Sequence, residues 1–208
     1  MADLTSSDLS ANFVATLAHA AAYERDTKRE RPSAIAVVNA LLQAEKAAKQ
    51  QHLTYPLNSL LGDWRLCFTA PRKAHLRGGV ALGKGLYVPQ IAKAQISFST
   101  QSPNSAQSSS QVEINNSVQC GPLLFKLTGP TRYLGKKNLL AFDFTYMQLC
   151  LFGRAVYSGE FRGGKATATN FYHQSIAKLP FFAFFLMTDD FIAARGRGGG
   201  LALWVKSA

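Results

Sequence analysis

Asp143, Tyr146, Glu160 and His173 are the side chains whose types and spacing could support proton transfer, and they fall in one stretch of the chain. General acid–base catalysis needs such groups within hydrogen-bond reach of one substrate. Asp143 and Glu160 lie in neighbouring predicted strands and could face each other, but the spacing does not make all four converge. Cys67 and Cys150 are candidate nucleophiles without a visible histidine partner. Three cysteines, Cys67, Cys120 and Cys150, form no Cys-x-x-Cys pair, and the four histidines are scattered, so neither a disulfide framework nor a metal site is expected.

Aromatic residues carry the second kind of chemistry. In Ala141-Phe142-Asp143-Phe144-Thr145-Tyr146-Met147 every other residue is aromatic. Phe142, Phe144 and Tyr146 share one face of a strand if the pleat stays regular. With Phe125 and Phe171 they are the candidates to face an interior, either as a filled hydrophobic core or as the lining of a cavity. The run Leu179-Pro180-Phe181-Phe182-Ala183-Phe184-Phe185-Leu186-Met187 is apolar on both faces of any strand it forms. One face would meet the interior. The other would meet the N-terminal helices, a membrane or a partner, and Phe181, Phe182, Phe184 and Phe185 are the candidate contacts.

The elements that must position these residues fall in two parts, residues 1–55 and 56–208. Leu9, Phe13, Leu17 and Ala20 repeat at helical spacing after a cap at Ser7 or Asp8. Pro32 opens a second helix with Ile35, Val38, Leu41 and Leu42 on its apolar stripe. From Gly62 onward, short aromatic and β-branched segments alternate with turn residues. Strands are expected at 63–70, 85–99, 111–120, 123–128, 139–150, 154–161, 166–173, 181–187 and 200–206. Eight or nine antiparallel strands with tight turns predict a mainly β fold, a closed barrel preceded by two helices. Such a barrel is either filled by side chains or holds one small ligand.

Charge divides the chain in the same place. Residues 1–60 contain six acidic and six basic side chains, so the whole net charge of +11 lies in residues 61–208. That surplus favours an anionic membrane surface or an acidic protein complex. The basic residues are dispersed and no nucleic-acid motif is present, so no nucleic acid is expected as partner. No segment is long and apolar enough to span a bilayer. The N-terminus, with Asp3 and Asp8, has neither a secretory nor an obvious transit signal.

Two motifs remain. Leu60-Leu61-Gly62-Asp63-Trp64-Arg65-Leu66-Cys67-Phe68-Thr69 contains Gly-x-Trp, in which the glycine leads into a first strand and the tryptophan plugs the barrel end. Asp189-Asp190-Phe191-Ile192-Ala193-Ala194-Arg195-Gly196 leads through a glycine-rich hairpin to a final apolar strand ending at Lys206. Arg195 is placed to stack on Trp64, a contact worth about 0.5–2 kcal/mol. Asp190 could pair with Arg195 or Arg197, or cap a turn. Together Gly62, Trp64, Asp190, Arg195 and Gly196 resemble the plastid-lipid-associated (fibrillin) family over roughly residues 40–206, with Ile192 and Phe68 departing from its usual residues. The resemblance implies a lipocalin-like barrel that binds a carotenoid, a quinone or another isoprenoid lipid without catalysis. It also implies a peripheral place at a thylakoid, in a cyanobacterial cytoplasm or a plastid stroma. Two rival readings are a structural subunit of a photosynthetic membrane complex and, further off, a bilin-lyase-like enzyme.

Overall fold

A computed structural model describes residues 6–25, 30–72, 74–77, 80–82, 84–100, 112–163 and 170–207. Two helices come first, α1 (Ser6–Arg25) and α2 (Ala34–Gln51). The expected apolar face is the buried one: Phe13, Leu17 and Ala20 on α1, and Val38, Leu41 and Leu42 on α2. Ser33 begins α2, its hydroxyl accepting the Ala36 N–H at 3.2 Å. Ile35 departs from the expected stripe and is 61% exposed, while Ala34 and Val37 in the same turn pack against the core.

The strands are β1 (Gly62–Ala70), β2 (His75–Arg77), β3 (Val80–Leu82), β4 (Leu86–Tyr87), β5 (Ala92–Thr100), β6 (Val112–Cys120) and β7 (Leu123–Leu134). They continue as β8 (Leu139–Phe142), β9 (Tyr146–Leu151), β10 (Arg154–Glu160), β11 (Phe181–Met187), β12 (Phe191–Gly196) and β13 (Leu201–Lys206). Eight of them close an antiparallel, lipocalin-like barrel in the order β7-β6-β5-β1-β13-β12-β11-β8, with β8 returning to β7. β4 adds to β1, and β2 with β3 forms a separate hairpin. The strand expected over 85–99 is interrupted between β4 and β5, where Pro89 cannot donate to a ladder. Of the strand expected at 166–173, residues 166–169 lie outside the described residues, and Asn170 and Phe171 form a helical turn.

β7 does two jobs. Residues 131–134 pair with β8 inside the barrel, and residues 123–128 pair with β9 beyond it. Between them the chain of Asp143–Thr145 crosses Gly129 so closely that a Cβ there would stand 1.8 Å from the Asp143 carbonyl oxygen. The single strand expected over 139–150 is therefore two strands with a bulge, and β9 and β10 carry the sheet outward as an extension of the barrel wall.

Apolar residues form three clusters. Trp64, Phe98, Ile114, Leu140, Phe184, Ile192 and Trp204 fill the barrel interior. The helices cover one outer face over Cys67, Phe68, Phe185, Phe191, Leu201, Leu203 and Val205. Ala141, Phe171 and Leu179 make a small cluster on another outer face. Asn138 pins the segment between α2 and the barrel. Its amide donates to the Leu53 carbonyl at 2.6 Å and accepts the Tyr55 N–H at 2.9 Å, while the Tyr133 hydroxyl donates to the Tyr55 carbonyl at 2.9 Å.

Candidate functional site

Gly62 opens β1 with φ +117, a conformation that favours glycine. It delivers Trp64, fully buried, into the barrel end, where the indole N–H donates to the Leu60 carbonyl at 2.7 Å. The expected stacking of Arg195 on Trp64 does not occur. Lys206, on the neighbouring β13, lies over that ring with its ammonium 5.4 Å from the centroid. Arg195 instead points outward and grips Glu45 of α2, Nε to Oε1 at 2.9 Å and Nη2 to Oε2 at 2.6 Å, and it also donates to the Gly199 carbonyl. The cause is parity: Ile192 and Ala194 face inward on β12, so Arg195 faces the helices. Burial pushes the Glu45 carboxyl up, but hydrogen bonds from Arg195 and Lys49 outweigh it and hold the group below its ordinary range. Asp190 uses its backbone carbonyl to accept the Lys206 N–H at 2.8 Å, and Arg197 donates to the Lys178 carbonyl at 2.7 Å. Gly196 starts the expected hairpin, its N–H donating to the Gly200 carbonyl at 2.9 Å.

The lining candidates separate. Phe142 is buried in the barrel and stacks on Phe182 at 5.0 Å; Phe144, half-buried, meets Phe142 at 5.2 Å. Tyr146 does not share their face. The bulge at 143–145 turns it outward, 42% exposed, beside Thr128 and Glu160. Phe171 also lies outside the barrel, against Tyr172 and Ala141. The apolar run is no exposed membrane face. Phe182 and Phe184 point into the barrel, Phe181 packs on the Phe171 cluster, and Phe185 lies under the helices. Both faces of β11 are apolar because both are covered.

Phe125 marks what the alternation pattern alone missed. Cross-strand register places Ala94, Val118, Phe125, Leu149 and Tyr157 in one row, and Ile96, Asn116, Leu127, Met147 and Gly159 in another. Ile96 faces the barrel interior, so both rows continue that inner surface beyond the point where the barrel closes. The alternate row, Gln95, Ser117, Lys126, Gln148 and Ser158, is polar and faces outward. Val118 is 42% and Tyr157 49% exposed, and Phe125, Leu127, Met147 and Leu149 are half-buried. The aromatic group of Phe142, Phe144, Phe182 and Trp204 ends where this apolar apron begins. The signal was present in Leu123-Leu124-Phe125-Lys126-Leu127 and Met147-Gln148-Leu149, but it becomes a surface only when β6, β7, β9 and β10 align.

Tyr146 and Glu160 are cross-strand partners on the exposed outer face. The Asp143 carboxylate accepts the N–H of its neighbour Phe144 at 2.9 Å, and His173 is exposed on a separate turn. Cys67 is buried with its thiol 3.3 Å from the Leu203 carbonyl; Cys150 is buried and Cys120 exposed. Among the described residues no cluster of His, Cys, Asp and Glu is placed to hold a metal ion. A groove of about 270 Å³ lies at the other end of β7, lined by Lys49, His52, Lys136, Lys137 and Phe185. Among the described residues no helix is long and apolar enough to cross a membrane. The chain matches no family model, no curated protein and no solved structure.

Proposed function

We propose that this protein is a non-catalytic binder of an apolar molecule, and that the ligand lies along the apron at the mouth of the barrel rather than deep inside it. One observation carries this reading: an apolar, half-exposed sheet face runs on from the barrel interior, while the row between its two apolar rows, Gln95, Ser117, Lys126, Gln148 and Ser158, is polar and faces the other way. The interior proper is filled by Trp64, Phe98, Leu140 and Ile192, as a barrel of this strand number permits. A flat, long ligand suits such a strip. The resemblance of the Gly62–Trp64 and Asp190–Gly196 motifs to plastid-lipid-associated proteins supports an isoprenoid class, a carotenoid, quinone or other lipid, at a photosynthetic membrane.

The test is an absorption spectrum and a mass spectrum of the lipid extract of protein purified from its native cells. A stoichiometric apolar molecule, lost in Phe125→Ser with Leu149→Ser, is the expected result. A clean extract from protein that tracks a membrane complex through purification would refute ligand binding and favour a structural subunit seated on the same face.

A further inference from the structure

The far end of the extended sheet is built unlike a water-facing rim. Ala92, Cys120, Leu123, Leu151 and Arg154 form its last cross-strand row. Beyond that row project Ile91, the Gly121–Pro122 turn and the Phe152–Gly153 turn. Ile91 is 77% and Phe152 79% exposed, with Leu123 and Leu151 at 43% and 40%. The Phe152 N–H donates to the Pro122 carbonyl at 2.9 Å, which locks the two hairpin tips side by side.

Phe152 is also the wrong residue for its backbone. It sits at φ 48 and Gly153 at φ 76, both left-handed, in a two-residue hairpin that favours Asn-Gly. A bulky aromatic held there and left in water gains nothing from the fold that offsets the strain. Charge adds a second feature. Residues 84–95, 116–126 and 147–159 carry Lys84, Lys93, Lys126 and Arg154, and no Asp or Glu.

We propose that the paired tips, Ile91, Leu123, Leu151 and Phe152, insert into the surface of an anionic lipid bilayer, with Lys93, Lys126 and Arg154 beside the headgroups. Shallow apolar insertion combined with basic charge is the pairing that gives stable peripheral binding. The inference rests on the membrane setting of the function proposed above and does not need a bound ligand. It also orients the molecule, since the apron's end row is the row that meets the bilayer.

Flotation of the purified full chain with phosphatidylcholine vesicles, with and without phosphatidylglycerol, tests it. The native protein is expected to float with the anionic vesicles and more weakly with the neutral ones. Phe152→Asn, which suits the turn, is expected to keep or raise Tm while lowering partition about tenfold or more. Arg154→Glu should weaken binding at least about fivefold on anionic vesicles only. Ile35→Ser, at an exposed apolar site on α2, should leave partition unchanged. The proposal is overturned if native protein stays free of anionic vesicles, or if Phe152→Asn binds as native does. It is also overturned if that variant only dissolves a self-association, which would assign the tips to a second copy of the chain. A clean lipid extract with vesicle binding intact would remove the ligand reading and leave this one standing.

Discussion

Replacing Arg195 with methionine should cut the main polar tie between the N-terminal helices and the barrel. Arg195 gives Glu45 two charge-assisted hydrogen bonds, at 2.9 and 2.6 Å, across 150 positions of sequence. The Glu45 side chain is 11% exposed and that of Arg195 25%. Removing one partner of a fully buried pair costs about 3–5 kcal/mol, and the partial exposure with the remaining Lys49 bond reduces this to about 2–3 kcal/mol. At roughly 2–4 °C per kcal/mol for a chain of this size, Tm falls by about 4–12 °C. The pH dependence makes the test sharper. A carboxylate whose folded pKa is depressed contributes stability above its unfolded pKa and loses it as pH falls through the folded value. In the native protein Glu45 is held below its ordinary 4.5. The gap between native and Arg195→Met should thus be fully open at neutral pH and close in acid, below the ordinary carboxylate value. Urea midpoints across that range measure it. The double variant Glu45→Met with Arg195→Met should regain most of the loss, because two apolar side chains leave no buried charge. A pH-independent gap, or a double variant as unstable as the sum of the single ones, would refute the reasoning.

Other outcomes follow from the same contacts. Gly129→Ala forces the Asp143 crossing apart and should cost about 1–3 kcal/mol, whereas Gly198→Ala, with open space around its Cβ position, should leave Tm unchanged; equal effects would remove the close-crossing argument. Burial pushes the phenols of Tyr133 and Tyr87 up to about 12. Raised pKa values contribute stability that is complete below the unfolded phenol value and is lost as pH rises through the folded one, so native stability should fall between about pH 10 and 12. Tyr133→Phe should lower stability by about 1 kcal/mol at neutral pH through its lost bond to Tyr55, and should flatten the alkaline fall. Denaturant midpoints at stepped pH check both parts.

Period and punctuation alone located the two helices, most of the strands and the barrel class, because local side-chain alternation and turn residues are properties of short segments. Gly62 before Trp64 and the glycine hairpin after Arg195 were legible for the same reason: φ +117 at Gly62 and the tight turn at Gly196 are local demands. The direction of each side chain was not. One bulge at 143–145 reverses Tyr146 relative to Phe142, and parity on β12 turns Arg195 from Trp64 to Glu45. Phe181–Met187 reads as a strand with two apolar faces, and only the folded chain decides that α2 and the Phe171 segment, rather than a membrane or a partner, cover the outer one. The apron depends on register among four strands, and the exposed apolar tips on two turns joined by one hydrogen bond. Register and burial arise from pairings between distant segments, and a shift of one residue exchanges the faces of a strand, so only the tertiary structure could decide them.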